Sequence, residues 1–156
     1  MAFKPFKDQV MELFPEIARL AGTEMRRSAK RFDDYVEIPG NGFVLRVRWE
    51  IERTQGLLVT LYKEVKEEHL VPRELNLGWF VKFKGGSVDE ERIVEVGRGA
   101  EVIKIVKKYA LGYLLGREKD FDNIDELSRR EIEEKHHYSQ WNKANKWIRP
   151  EWPPSN

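Results

Sequence analysis

Apolar residues recur at intervals of three and four along residues 6–31, which is the period of an amphipathic helix. Pro15 interrupts this pattern and predicts either a kink or the start of a second helix. Gly22 is a second weak point, because glycine costs about 1 kcal/mol relative to alanine inside a helix. We therefore predict one helix, or two short helices, that ends in a basic cluster made of Arg26, Arg27, Lys30 and Arg31.

The period of the pattern changes to two after this segment. Between Phe43 and Ile51, apolar residues alternate with a polar set that includes Arg46 and Arg48. Such alternation is typical of antiparallel strands with one covered face and one hydrated face. The same reasoning predicts strands over residues 35–38, 43–51, 57–65 and 75–83, with a tight turn at residues 39–42.

The strongest helical pattern of the chain covers residues 100–115, and Gly116 suits the position just after a helix. Residues 91–96 fit either an edge strand or a helical lead-in. The pattern of residues 124–137 predicts a charged helix with few apolar positions. The predicted fold is a two-layer α+β domain over residues 1–137, followed by a Trp-rich tail at residues 138–156. Its antiparallel sheet has three or four strands and is covered on one face by the N-terminal helix and the central helix.

Composition excludes several classes of protein. The 156 residues include 28 basic and 27 acidic residues, so the net charge of +1 argues against a uniformly basic protein that coats nucleic acid. Cysteine is absent, which excludes disulfides, thiolate metal sites and cysteine nucleophiles. No apolar run approaches the roughly 18 residues of a membrane span, and the N-terminus lacks the apolar core of a signal peptide. We therefore predict a cytoplasmic protein that does not bind membranes.

Motifs that would assign an enzymatic reaction are missing. The sequence contains no P-loop, no Gly-x-Gly-x-x-Gly and no Gly-x-Ser-x-Gly pattern. Glu133 and His136, like Glu134 and His137, have the spacing of ligands in di-iron bundles. Their helix is polar on all sides, however, so we predict no metal site and no cofactor. These observations favour a non-catalytic protein, and we assign no catalytic residue.

Gly97, Arg98 and Gly99 precede the central helix. The free amides at a helix N-terminus can hold a phosphate, and Arg98 would add a positive charge. These three residues are therefore a candidate anion-binding site, as in a sensor of small anionic ligands. The alternative is that the glycines only let a loop enter the helix.

Aromatic and basic residues are interleaved near the C-terminus. The candidate partner-binding residues in this region are Trp141, Lys143, Lys146, Trp147 and Arg149. This mixture occurs in protein interfaces and in surfaces that bind single-stranded nucleic acid; alternatively, the tryptophans fold back onto the core.

Arg46 and Arg48 on the polar face of the sheet are the second candidate set for partner binding. They are predicted to lie beside Tyr62 or Phe80. A sheet that binds RNA has a similar pattern. We expect glutamates to neutralise part of this charge, the candidates being Glu37, Glu50 and Glu64.

A resemblance to a known class of proteins lies in the central helix and the turn after it, in the residues Lys107, Lys108, Tyr109, Ala110, Leu114, Leu115, Gly116, Asp120 and Phe121. Together with the order of elements over residues 5–127, this segment resembles small α+β immunity-type proteins of bacterial toxin systems. The resemblance implies that Tyr109 and Leu114 are core residues, that Gly116 ends a helix and that Phe121 is an anchor. The charged helix and the tail have no counterpart in that class.

The resemblance implies a non-catalytic module that binds and occludes a protein partner, of immunity or anti-defence type. The alternatives are a nucleic-acid-binding accessory protein and the sensor of small anionic ligands.

Overall fold

A computed structural model describes residues 6–30, 33–50, 56–65, 72–96 and 99–144. The predicted α+β class is confirmed. The elements in chain order are α1 (Phe6–Leu13), α2 (Pro15–Ala21), β1 (Arg26–Lys30), β2 (Asp33–Pro39), β3 (Phe43–Glu50), β4 (Gly56–Lys63), β5 (Leu75–Asn76), α3 (Leu77–Phe83), α4 (Val88–Val96), α5 (Gly99–Tyr109), α6 (Leu111–Leu114) and α7 (Phe121–Ala144).

Within the described residues, the sheet has five antiparallel strands in the order β1-β2-β3-β4-β5, where three or four strands were predicted. Successive side chains on a strand point to opposite faces. We call one side the core face, because its side chains are buried; these are Val36, Ile38, Leu45, Val47, Leu57, Val59, Leu61 and Leu75. The opposite side is the outer face, and it carries Arg46 and Arg48 as the alternation predicted.

Helices supply the second layer. α1 and α6 contact β3, α2 contacts β2, and α3 and α4 contact β4, while α5 packs against α1, α3 and α4. Four rings join strand β3 to these helices and to the start of α7. The Phe80 ring lies 5.2 Å from the Tyr113 ring and the Phe43 ring lies 5.2 Å from the Phe121 ring, measured between centroids.

The basic end of the predicted first helix is wrong, because Arg26, Arg27 and Lys30 lie in a strand. Arg31, the fourth member of the basic cluster, lies outside the described residues. A second helix, α2, begins at Pro15, which was one of the two predicted alternatives, and it ends at Ala21. Gly22 then takes a left-handed φ of +74° and its N–H bonds to carbonyls of the last turn, which stops the helix. The chain is therefore free to form β1, in which Arg26 lies opposite Glu37 of β2.

The strand predicted over residues 75–83 is also wrong, since only two of these residues form β5 and the rest form α3. The helix buries Leu77, Phe80 and Val81 and leaves Trp79 half-exposed. Apolar residues in a short run satisfy the two-residue and the three-to-four-residue periods together, so periodicity alone does not separate strand from helix.

The remaining helices extend or resolve the predictions. The ambiguous segment before the central helix is part of α4, and the charged C-terminal helix runs from Phe121 to Ala144 rather than over residues 124–137. Tyr109, Leu114 and Phe121 are buried, and Gly116 has a φ of +73° just after α6. These are the structural roles that the resemblance implied.

The turn between β2 and β3 packs closely against the end of α6. The Asn41 N–H donates to the Leu114 carbonyl at 2.8 Å. A Cβ atom added to Gly40 would lie 2.6 Å from the Leu114 Cα atom, so this approach requires glycine. The contact anchors the β2–β3 hairpin, which carries most of the outer-face residues discussed below.

The described residues up to Phe121 form one compact unit, and those from Asp122 onward form a second. Ion pairs one turn apart support α7 in the second unit, Arg129 with Asp125 at 3.3 Å and Arg130 with Glu126 at 2.7 Å. In the part of the chain that the structure describes, none of the helices has the length and apolar character needed to cross a bilayer.

Candidate functional site

The outer face of the sheet holds a connected group of polar and aromatic side chains. Antiparallel register places Tyr35 of β2 opposite Arg48 of β3, Glu37 opposite Arg46, and Arg46 opposite Thr60 of β4. Glu74 reaches the same group from the segment just before β5. We call the set the outer-face network, and its members are Tyr35, Glu37, Arg46, Arg48, Thr60, Tyr62 and Glu74.

Arg46 is the centre of the outer-face network. Its Nη2 atom donates to Glu37 Oε2 at 3.0 Å and its Nη1 atom lies 3.2 Å from Glu74 Oε1. The guanidinium also lies over two rings, 4.3 Å from the centroid of Tyr35 and 4.9 Å from that of Tyr62. Burial acts to lower the pKa of Arg46, but Glu74 and Glu37 outweigh it and raise the pKa, so the group stays charged.

Glu74 links two strands through its carboxylate. Its Oε2 atom accepts from Arg48 Nη1 at 3.2 Å, and its Oε1 atom accepts from the Thr60 hydroxyl at 2.9 Å. Because Arg46 contacts the same carboxylate, one glutamate fixes the positions of two arginines. Charged groups that hold each other in this way lose little freedom when a partner binds.

Tyr62 completes the outer-face network from β4. Its hydroxyl donates to the Glu37 carboxylate, and its ring lies beside Arg46. Burial and then the bond to Glu37 raise the pKa of Tyr62 well above its ordinary value. The phenol is therefore a hydrogen-bond donor at every physiological pH and is not suited to act as a base.

The charges of the outer-face network cancel. Arg46 and Arg48 face Glu37 and Glu74, and the exposed fractions of these four side chains are 16, 25, 14 and 23% respectively. Their edges are thus accessible while their charges are paired. The face offers fixed hydrogen-bonding edges and the partly exposed ring of Tyr35 rather than a positive potential.

The structure brings together two of the predicted partner-binding residues, Arg46 and Arg48. The expected neutralisation by Glu37 is confirmed, and so is the proximity of Tyr62. The alternative neighbour Phe80 is wrong, because that ring is fully buried in α3. Glu74 was missed, since nothing in its local sequence indicates that the segment before β5 returns to the outer face.

The other predicted site residues lie where little is described. Trp141 and Lys143 belong to the last part of α7, where the structure describes the backbone alone, and Gly99 is the first residue of α5. The remaining five lie outside the described residues and are Gly97, Arg98, Lys146, Trp147 and Arg149.

A second polar cluster joins the start of α4 to α5. The Glu90 N–H donates to Ser87 Oγ at 3.1 Å, and the Glu90 carboxylate accepts from the Ser87 N–H at 3.1 Å, which is a capping box. Lys108 and the Tyr109 hydroxyl also donate to this carboxylate, at 3.1 and 2.9 Å. The bond from Ser87, followed by that from Lys108, lowers the pKa of Glu90 to about 2.

This depressed pKa predicts that Glu90→Gln destabilises the protein in a pH-dependent manner. The ionised carboxylate stabilises the folded state at pH values above its ordinary pKa of 4.5, and that contribution is lost as the pH falls towards 2. We expect a lower melting temperature for the variant at pH 7 and convergence with the wild type between about pH 4.5 and 2. Glu95→Gln, which removes an exposed carboxylate of the same helix, is the control for net charge. A difference that persists unchanged at pH 2 would contradict the prediction.

A third cluster surrounds Tyr113, whose hydroxyl donates to Asp120. Lys84 lies 4.7 Å from the centroid of the same ring and pairs with Glu118 at 3.1 Å. Burial and then Asp120 raise the pKa of Tyr113, so this phenol is also a donor. The cluster connects the end of α3, α6 and the segment between α6 and α7, which is a structural role.

Within the described ranges, no three His, Asp or Glu side chains converge as a metal site requires. No protein-family model, curated protein or solved structure matches this chain. We therefore base the proposed function on the outer-face network.

Proposed function

We propose that this protein is a non-catalytic binding module whose outer face contacts and occludes a protein partner. The observation that carries the proposal is the fixed grouping of Tyr35 with Arg46 and Arg48 on one accessible sheet face, where the buried Tyr62 supports Arg46. Tyrosine and arginine are enriched among the few residues that supply most of the energy of protein interfaces.

The paired charges favour a protein over a nucleic acid as the partner. Binding to phosphates depends on positive groups whose counterions are released, whereas Glu37 and Glu74 already occupy the two arginines of the outer face. A protein surface with its own polar groups and rings complements such a face without displacing the glutamates. The resemblance of residues 107–121 to immunity-type proteins supports occlusion, rather than catalysis, as the result of binding.

The proposal is tested by capture of proteins from a lysate of the source cells, with Tyr35→Ala and Arg48→Ala beside the wild type. Arg46 keeps both glutamate partners in either variant, so the fold is expected to persist, and circular dichroism checks this. Val88→Ala is the control, because Val88 is 78% exposed and lies on α4. We expect one protein to be retained by the wild type and by Val88→Ala and lost from both outer-face variants.

Calorimetry with the purified partner then measures the loss. Removing a dominant interface residue costs about 2 kcal/mol or more, which corresponds to an affinity about 30-fold weaker. Equal capture by all four proteins, or no capture even at low salt, would refute the proposal. Loss of bound nucleic acid from the outer-face variants in a gel-shift assay would favour the nucleic-acid alternative instead.

A further inference from the structure

β1 is an edge strand of the sheet. It pairs with β2 along one side, and its other side is unpaired among the residues that the structure describes. The backbone N–H and C=O groups along an open strand edge are a template for another strand. Five residues, Arg26–Lys30, are available for such pairing.

The charges of β1 select against a second copy of the same strand. Arg26 and Arg27 are exposed, and Lys30 is a third basic residue. Antiparallel pairing of two β1 strands about their centres would place Arg26 of one copy opposite Lys30 of the other. Like charges in directly opposed positions destabilise a strand pair.

The same charges favour an acidic strand. On its paired side, β1 has Arg26 opposite Glu37 and Lys30 opposite Asp33, so β2 brings acidic residues to both ends of the pairing. An incoming strand with carboxylates at alternate positions would repeat this register along the open side. β1 would then lie between this strand and Glu37 of the outer-face network.

We propose that the open edge of β1 receives an extended acidic segment of the partner protein, which adds a sixth strand to the sheet. This inference rests on the proposed function and deepens it by naming the part of the partner that binds. Main-chain hydrogen bonds supply affinity in this mode of recognition, and alternate side chains supply specificity.

The probe for this proposal is a short synthetic peptide of alternating glutamate and valine with a fluorescent label. We expect its anisotropy to rise on titration with the whole protein and the amide signals of residues 26–30 to shift in NMR spectra. A peptide of alternating lysine and valine should not bind. Two further glutamate–valine peptides carry N-methyl groups at alternate residues, one along one edge of the strand and the other along the opposite edge. One of these two peptides should not bind, because the edge that pairs with β1 no longer donates hydrogen bonds.

Charge reversal on β1 provides the matched variants. Arg26→Glu and, separately, Lys30→Glu should each weaken binding of the glutamate–valine peptide by about tenfold, as loss of an attraction and gain of a repulsion predict. Arg92→Glu makes the same change in charge at an exposed position on α4 and should bind as the wild type does. Thermal melting shows whether each variant remains folded, and one folded β1 variant is enough for the test.

The proposal is overturned if the peptide shifts no β1 amide, if both N-methylated peptides bind as well as the parent, or if Arg92→Glu weakens binding as much as the β1 variants do. Sedimentation showing a dimer held through β1 would overturn it as well, since a second copy would then occupy the edge. Partner capture that depends on Tyr35 but is unchanged by Arg26→Glu and Lys30→Glu would refute this inference and leave the proposed function in place. If the peptide binds to β1 but capture of the partner protein does not depend on Tyr35, the proposed function is refuted and the inference about β1 is not.

Discussion

Replacing Phe80 with alanine is expected to lower the free energy of unfolding by about 4 kcal/mol, the cost of a large cavity in a packed core. Phe80 is fully buried, and its ring lies 5.2 Å from the Tyr113 ring and 6.0 Å from the Phe121 ring. The surrounding rings belong to different elements, so they cannot close the cavity without moving a helix. Urea denaturation followed by circular dichroism measures the change.

Trp79→Ala is the matched control, because a strand over this segment would bury Trp79 and the helix leaves it half-exposed. The Trp79 ring stacks on Phe83 at 5.8 Å, and losing that contact should cost about 1 kcal/mol. The order of the two effects therefore distinguishes helix from strand. A larger loss for Trp79→Ala than for Phe80→Ala would contradict α3 as described.

Gly40→Ala has the second of the two largest expected effects, a loss of about 3 kcal/mol from steric overlap. The added Cβ atom would lie 2.6 Å from the Leu114 Cα atom and 2.7 Å from the Leu114 carbonyl oxygen. Both are backbone atoms, so a side-chain rotation does not relieve the overlap. The turn would have to separate from α6, which also breaks the bond from Asn41 N–H to Leu114.

Gly42→Ala in the same turn separates this overlap from backbone strain. Gly42 has a φ of +81° and no atom within 4 Å of the added Cβ, so its substitution should cost about 1 kcal/mol through conformation alone. Denaturant titrations of both variants give the comparison. If Gly40→Ala costs no more than Gly42→Ala, the hairpin turn does not pack on α6 in solution.

The Gly40 contact also matters for the proposed function. The turn joins β2 to β3, and these strands carry Glu37 and Arg46 of the outer-face network. Separation of the turn from α6 removes the support at one end of this hairpin. We therefore regard the packing of Gly40 on Leu114 as part of what keeps the outer-face network in a fixed arrangement.

Much of the sheet was predictable from alternation alone. In β3 the two-residue period extends over eight residues, and it assigned Leu45 and Val47 to the core and Arg46 and Arg48 to the other face. A long run with a clear period leaves one arrangement that buries the apolar set. The predicted position of the two arginines follows from the same argument.

Short segments were less predictable, because several periods fit them. Residues 75–83 contain apolar residues at both strand and helix spacings, and the need to bury Phe80 beside Tyr113 selects the helix. In the same way, Arg26 continues a helical pattern in sequence but pairs with β2 once Gly22 has ended α2. In both places, contacts with distant residues decide the local structure.

By itself the sequence determined the fold class, the strands with long alternation, and the presence of arginines on a polar sheet face, since burial of apolar residues follows directly from their spacing. Only the tertiary structure decided that Glu74 joins Arg46 and Arg48, and that β1 forms an edge. Those features depend on where the chain returns in space, and the interactions of charged side chains across such distances leave no periodic trace in the sequence.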